Sequence, residues 1–253
     1  MNTSKQHIGA KQTFWSLINE QESNNILIPE IQRDYTYGSL TEDTEKVLNN
    51  MLDNIRKSLY DNNEPEMTMN FVYGYTEENI NYVPLDGQQR LTTLFLLHYY
   101  AALNNEDGNF DLLRKFTYAT RETTKNYCIE ILSNHQEILE YSVKTKSISS
   151  AIEDMPWYLP SFNNDPSIRS MQVVIDRIER KFGDVKDSLW EKLILIDCPV
   201  NFYILDFGPF GLSDDLYMKM NSRGKKLTEY EIFKSMLLKH IEKKLELKDY
   251  KRD

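Results

Sequence analysis

The chain has 253 residues, of which 40% are hydrophobic and 27% charged, so it is long enough to bury a substantial core. Its net charge of −9 argues against tight, non-specific binding of duplex DNA over a broad surface. Two widely separated cysteines argue against a disulfide framework or a zinc site, and no apolar run reaches the roughly 20 residues of a membrane span. We therefore expect a soluble, cytoplasmic protein.

The first sixty residues predict an alternation of helix and strand. Residues 10–20 favour a helix with an apolar face, and residues 26–29 favour a short strand that ends at its proline. Residues 41–60 predict a longer helix that begins at a threonine. The apolar side chains spaced four apart in that helix, which we expect to face the core, are Val47, Met51, Ile55 and Leu59.

The next segment predicts a hairpin followed by a helix. Residues 69–75 and 80–85 alternate in the manner of strands and are joined by four polar residues. The second strand stops at Asp86, and a helix is predicted from Gly87 to about Leu103. The junction between them carries the letters DGQQR, and we call residues 86–90 the DGQQR turn.

The DGQQR turn has the composition of an anion site. The first N–H groups of a helix lack intrahelical partners and lie at the positive end of its dipole. Arg90 adds a planar fork suited to phosphate, and Asp86 offers oxygen to a divalent cation. Thr92 is a further candidate for phosphate contact, whereas the Thr93 hydroxyl is expected to bond the backbone. In the alternative interpretation, Asp86 only caps the helix and Arg90 only pairs with a surface carboxylate.

The second half predicts mostly helix. The polar stretch at 104–108 is the best internal boundary, Pro166 fits the first position of a helix with a buried stripe, and residues 193–207 contain a buried strand. The other predicted elements are an extended piece at 115–121, helices at 124–132 and 135–143, and a proline-rich loop at 155–166.

These features predict two parts. Residues 1–105 would form an α/β core that carries the DGQQR turn, and residues 106–253 a largely helical subdomain. The second part contains a basic loop, Asn-Ser-Arg-Gly-Lys-Lys at 221–226, which is either a simple helix–loop–helix turn or a ligand-binding loop. The charged segment at 242–253 has no stop signal, so we expect the chain to be a piece of a longer protein.

Three stretches in this order resemble a known family. Residues 28–35 fit I-P-x-x-Q-R-x-Y, residues 86–94 fit D-G-Q-Q-R-L-T-T-L, and residues 221–227 fit N-x-R-G-x-x-L. These are motifs of the GmrSD restriction-endonuclease N-terminal domain family of bacterial anti-phage systems. The resemblance implies an α+β fold, with a small ParB/sulfiredoxin-like mixed α/β core followed by a mostly helical part.

The resemblance also implies a site and an activity, namely a nucleotide-binding, NTP-hydrolysing regulatory domain that uses Mg²⁺. Asp86 would hold Mg²⁺ or orient a water, Gln88 or Gln89 would position that water, and Arg90 would neutralise phosphate charge. The other residues implied to bind the nucleotide are Gln32, Arg33, Tyr35, Gly87, Thr92, Asn221, Arg223, Gly224 and Lys225. No Walker-type G-x-x-x-x-G-K-[ST] pattern is present, which argues against a P-loop enzyme.

The implied partners are DNA, reached through the full-length protein or complex, and a C-terminal HNH-type nuclease domain or subunit. This chain has no His-Asn-His arrangement of its own, no membrane partner is expected, and a homodimer is left open. One alternative is a non-catalytic sensor or DNA-binding module that receives a modified DNA group in the same pocket. Another is a ParB-like nuclease with Asp86 as metal ligand, which ranks last because Asp34 is the only obvious second carboxylate.

Overall fold

The computed structural model describes residues 10–19, 25–29, 34–61, 63–77, 81–119, 122–145 and 147–207. The strands are β1 (Ala10–Gln12), β2 (Asn25–Ile28), β3 (Met67–Glu77), β4 (Asn81–Asp86), β5 (Phe116–Tyr118) and β6 (Val200–Asp206). The helices are α1 (Phe14–Asn19), α2 (Glu42–Tyr60), α3 (Gln88–Leu103), α4 (Phe110–Leu113), α5 (Glu122–Ser133), α6 (His135–Ser142), α7 (Ile148–Glu153), α8 (Pro166–Phe182) and α9 (Lys186–Leu193). Short 3-10 helices lie at Pro160–Asn164 and Gly183–Val185.

The strands form one mixed sheet in the order β1-β6-β3-β4-β2-β5. β2 runs parallel to β4 and β5, and β3 runs parallel to β6, while the β3/β4 and β1/β6 pairs are antiparallel. Helices and a mixed sheet together confirm the predicted α+β class. β5 and β6 come from the part of the chain predicted to be a helical subdomain, yet they join the same sheet as β1–β4. The described residues cluster into one compact unit, and residues 208–253 lie outside them.

Helix α3 lies at the centre of the fold. It is apolar on nearly every side, which is the pattern of a helix buried on all faces. Phe95 is fully buried and stacks on Phe116 of β5, with ring centroids 4.6 Å apart. α3 packs against α8 and α9. Within the described part of the chain, no helix combines the length and apolar character that a membrane crossing requires.

Several local predictions are confirmed. Thr41 caps α2, and its hydroxyl accepts a hydrogen bond from the Thr44 N–H. Pro166 opens α8, where the Asp165 carboxylate accepts from the Ser167 N–H at 2.9 Å. The predicted α8 stripe is fully buried and consists of Ile168, Met171, Val174, Ile175 and Ile178.

Two local predictions are wrong for identifiable reasons. Residues 10–12 form a strand rather than the start of a helix, because they pair with β6, nearly two hundred residues away. The helix begins only after Thr13, whose hydroxyl accepts from the Ser16 N–H at 2.9 Å. Val47 is 48% exposed, because a strict four-residue repeat drifts around a helix of 3.6 residues per turn. Helices α4, α7 and α9 were not predicted, because each is short and carries little periodic signal.

Candidate functional site

The DGQQR turn begins where β4 ends and α3 starts. Gly87 has φ 91° and ψ 2°, a left-handed conformation that favours glycine. A Cβ atom there would lie 2.8 Å from the Val72 Cγ2 atom, so the turn also needs a residue without a side chain. The first helical bond runs from the Leu91 N–H to the Gly87 carbonyl at 2.9 Å. The N–H groups of the three intervening residues therefore have no intrahelical acceptor, and Gly87 has no side chain to cap them.

Arg90 ties this turn to β3. Its guanidinium donates to the Met69 carbonyl and to the Phe71 carbonyl at 2.8 Å, and it lies 3.2 Å from the Asp86 carboxylate. Between these two carbonyls, Asn70 has φ 55°, and the β3/β6 register shifts at the same place. Arg90 thus holds both sides of a strained irregularity in the sheet. These three contacts use three of the five N–H groups of the guanidinium.

The two glutamines of the turn also contact backbone. Gln88 is buried, and its amide donates to the Pro84 carbonyl at 2.7 Å. Gln89 donates to the Asp34 carbonyl at 2.8 Å and accepts from the Thr36 N–H at 2.9 Å. Both ends of the Gln89 amide therefore hold the loop that follows residues 28–33. These contacts give Gln89 a positioning role between the first and second motifs.

Tyr35 anchors the same loop to the core. Its N–H donates to the Ser167 hydroxyl at 3.0 Å, and its phenol shares a 2.8 Å hydrogen bond with Thr93. Burial raises the pKa of Tyr35, so its phenol stays protonated. The Thr93 hydroxyl donates to the Gln89 carbonyl at 2.8 Å, which confirms the predicted backbone bond. Thr92 is also buried and bonds the Tyr118 phenol at 3.0 Å, so its hydroxyl faces the core.

Tyr37 is a neighbour of the turn that sequence reasoning missed. Its ring lies 6.1 Å from the Tyr35 ring. The pKa of Tyr37 is raised, mainly by burial. The positive charge of Arg90 opposes this shift, and the negative charge of Asp86 adds to it. Tyr37 is therefore within electrostatic reach of both ionised residues of the turn. The available signal was its position two residues after Tyr35 in a motif-bearing loop.

The described residues supply only part of the predicted site. Asp86, Gly87, Gln88, Gln89, Arg90, Tyr35 and Thr92 lie together around the start of α3. The remaining predicted binding residues fall outside the described residues, and they are Gln32, Arg33, Asn221, Arg223, Gly224 and Lys225.

Among the described residues, the turn offers one carboxylate, Asp86, to the predicted Mg²⁺. Over those residues, no group of three or more His, Cys, Asp or Glu side chains is arranged to hold a metal ion. The Asp86 carboxylate, with its side chain 53% exposed, has Arg90 as its cationic neighbour. One carboxylate fits Mg²⁺ only when phosphate oxygens and water complete the coordination, as is usual for nucleotide-bound Mg²⁺.

The fold and the turn define an α+β protein whose central buried helix begins, without a side-chain cap, at the end of a strand. The chain matches the family model described as "GmrSD restriction endonuclease, N-terminal domain" over residues 14–238. It therefore belongs to that family, which confirms the resemblance carried by the three motifs. Membership implies that the chain is part of a restriction or defence protein. No curated protein and no solved structure gave a significant match, so the ParB/sulfiredoxin likeness stays a prediction.

Proposed function

We propose that the DGQQR turn binds the phosphates of a nucleoside triphosphate, and that the domain hydrolyses this nucleotide to regulate a restriction nuclease. The observation that supports this most is the start of α3, where three consecutive N–H groups lack intrahelical acceptors beside Arg90. A helix of 16 residues places the positive end of its dipole at the same point. A phosphate there would meet backbone donors and one guanidinium.

Backbone and side chains have different roles in the proposed chemistry. The bare amides and the free donors of Arg90 neutralise charge on the transferring phosphoryl group. Asp86 is the proposed carboxylate for Mg²⁺, which supplies further charge neutralisation when it is bound with the nucleotide. Gln89 keeps the loop at residues 34–37 in place, and this loop directly follows the predicted pocket residues Gln32 and Arg33.

The partners proposed for the full protein come from family membership. They are DNA and a C-terminal HNH-type nuclease domain or subunit, which would cut in response to the nucleotide state of this domain. The predicted residues of the basic loop at 221–226 are proposed to close over the nucleotide. Homodimer formation stays a prediction.

A thermal-shift screen and a phosphate-release assay with the common NTPs and Mg²⁺ test the proposal. Binding at a hundredfold excess over Kd stabilises the fold by about 2.7 kcal/mol, a readily measured rise in Tm. Asp86→Asn should reduce phosphate release at least tenfold. Asp111→Asn is the matched control, because Asp111 is also an exposed acid near an arginine of its own helical turn, at 3.6 Å from Arg114.

Two results would count against the proposal. If no NTP raises the Tm and no phosphate is released, the turn does not bind nucleotide. If Asp86→Asn and Asp111→Asn both retain full turnover, Asp86 has no part in the reaction. Circular dichroism of both variants would verify that the fold is intact.

A further inference from the structure

A second charged site lies away from the DGQQR turn, in a groove between α2 and α8. We call it the α2/α8 groove, and it has a volume of about 920 Å³. Five basic side chains line it against three acidic ones, and the basic residues are Arg56, Lys57, Arg177, Arg180 and Lys181. With Glu45, the partner of Arg177, counted as a fourth acid, the groove carries an excess of one positive charge in a chain whose net charge is −9.

Three of these cations pair with carboxylates across the groove, between α2 and either α8 or the 3-10 helix that follows it. Arg56 forms a two-pronged contact with Asp184, at 2.7 and 2.6 Å. Lys181 pairs with Asp53, and Arg177 pairs with Glu45. The three acidic partners have side chains between 45% and 65% exposed. Such exposed pairs contribute little to stability, so an incoming anion can replace the carboxylates at small cost.

The other two cations, Lys57 and Arg180, are held less firmly by their surroundings. Lys57 is exposed in the last turn of α2, and Arg180 is exposed in the last turn of α8. The Arg180 Nε donates to the Asp176 carbonyl of its own helix at 3.2 Å, which leaves the two terminal nitrogens of the fork for another acceptor. Two further cations thus face the same open groove as the paired ones.

The geometry points to the α2/α8 groove as a binding site for the phosphodiester backbone of a nucleic acid. Guanidinium forks bind phosphate oxygens in the same two-pronged manner that Arg56 uses for Asp184. A row of cations along two helices suits a repeating anion better than a single phosphate. Backbone contacts of this kind give affinity and orientation without reading sequence.

Fluorescence anisotropy with the full chain tests this inference on a labelled duplex, a single-stranded DNA of the same length and inorganic phosphate as competitor. Lys57→Glu/Arg180→Glu should weaken duplex binding at least tenfold at low salt. The salt slope of log K should fall by about two, one for each lost phosphate contact. Arg114→Glu/Lys144→Glu makes the same charge change at exposed positions outside the groove and should weaken binding less than threefold.

A gain-of-function variant tests the same idea in the opposite direction. Asp184→Asn removes a carboxylate that competes for Arg56 and should tighten duplex binding about threefold, whereas Asp111→Asn should not. Displacement of the duplex by millimolar inorganic phosphate would show a site for free anions and would overturn the proposal, whereas binding of the single strand as well as the duplex would support a site for the backbone. Equal losses in the two charge-reversal pairs, or no duplex binding at low salt, would also overturn it. NTP binding should be unchanged by Lys57→Glu/Arg180→Glu, which separates this site from the DGQQR turn.

Discussion

The polar side chains of α3 and those of the α2/α8 groove use the same chemistry in opposite surroundings. The Gln88 amide is buried and donates to the Pro84 carbonyl. In the groove, the Arg56 side chain is 30% exposed, donates to the Lys181 carbonyl and pairs with Asp184, whose side chain is 65% exposed. A buried contact to backbone has no substitute partner when it breaks, while an exposed ion pair exchanges readily with water or another anion. The buried side chains at the start of α3 therefore shape the site, whereas the ion pairs of the groove can exchange partners.

The largest expected effect is a loss of stability in acid caused by His98, in the buried body of α3. Burial lowers the pKa of His98 to about 4 from 6.5. Between about pH 6.5 and pH 4, the His98 side chain is therefore protonated in the unfolded chain and neutral in the folded chain. The contribution of neutral His98 to the free energy of unfolding is about 3 kcal/mol. It is fully present above about pH 6.5 and is lost as the pH falls to about 4.

Urea denaturation at several pH values measures this loss. His98→Asn should be less stable at neutral pH and should lose most of the dependence between pH 6.5 and 4. His135→Asn, at a half-buried histidine stacked on Phe110, is the control that should keep the dependence. If the stability of His98→Asn falls between pH 6.5 and 4 as steeply as that of the unchanged protein, a different group causes the acid sensitivity.

Gly87→Ala should have the next largest effect, a loss of about 2 kcal/mol in the free energy of unfolding. A side chain at φ 91° is strained, and its Cβ would collide with the Val72 Cγ2 atom. In a Val72→Ala background the collision is removed but the strain remains. A double-mutant cycle should therefore give a coupling of about 1 kcal/mol. Strict additivity would mean that the close approach to Val72 has no energetic consequence.

Gln89→Leu should cost about 2 kcal/mol, because it leaves the Asp34 carbonyl and the Thr36 N–H without the amide that now satisfies them. Hydrogen exchange should rise locally over residues 34–37. Gln88→Leu breaks one contact, with the Pro84 carbonyl, and should cost about half as much without loosening that loop. Equal exchange at residues 34–37 in the two variants would argue against the positioning role of Gln89.

The smallest effect is expected in the groove. Asp184→Ala removes the exposed partner of Arg56 and should change the urea midpoint by little more than the error of the measurement. Hydrogen bonding to Arg56 lowers the pKa of Asp184, so any contribution is present above the ordinary aspartate pKa and disappears in stronger acid. Added salt should weaken it further. A large loss in this variant would mean that the pair is structural and would remove the contrast with the buried contact of Gln88.

Local signals in the sequence predicted much of this fold. Proline and capping residues located the start of α8 and of α2, and alternation located β3 and β4. β1 was predicted as helix because its strand character depends on pairing with β6, which no local window contains. Strand alternation before Asp86 and helical spacing after Gly87 placed the DGQQR turn correctly at a strand-to-helix junction.

The contacts of the turn were harder to predict than its position. The Thr93 backbone bond could be predicted, because threonine hydroxyls in helices commonly donate to the carbonyl four residues earlier. The carbonyl partners of Arg90 could not be predicted, because they depend on the irregularity at Asn70 in a strand packed against the helix. The burial of the Thr92 hydroxyl against Tyr118 depends likewise on how β5 joins the sheet.

The most direct test of a phosphate cradle at the start of α3 is amide NMR of the full chain during titration with Mg²⁺ and a nucleoside triphosphate. The account predicts that the backbone N–H resonances of Gln88, Gln89 and Arg90 shift most among the residues of α3 and saturate with the ligand. Unshifted resonances at these three residues, with nucleotide bound elsewhere or not at all, would contradict it.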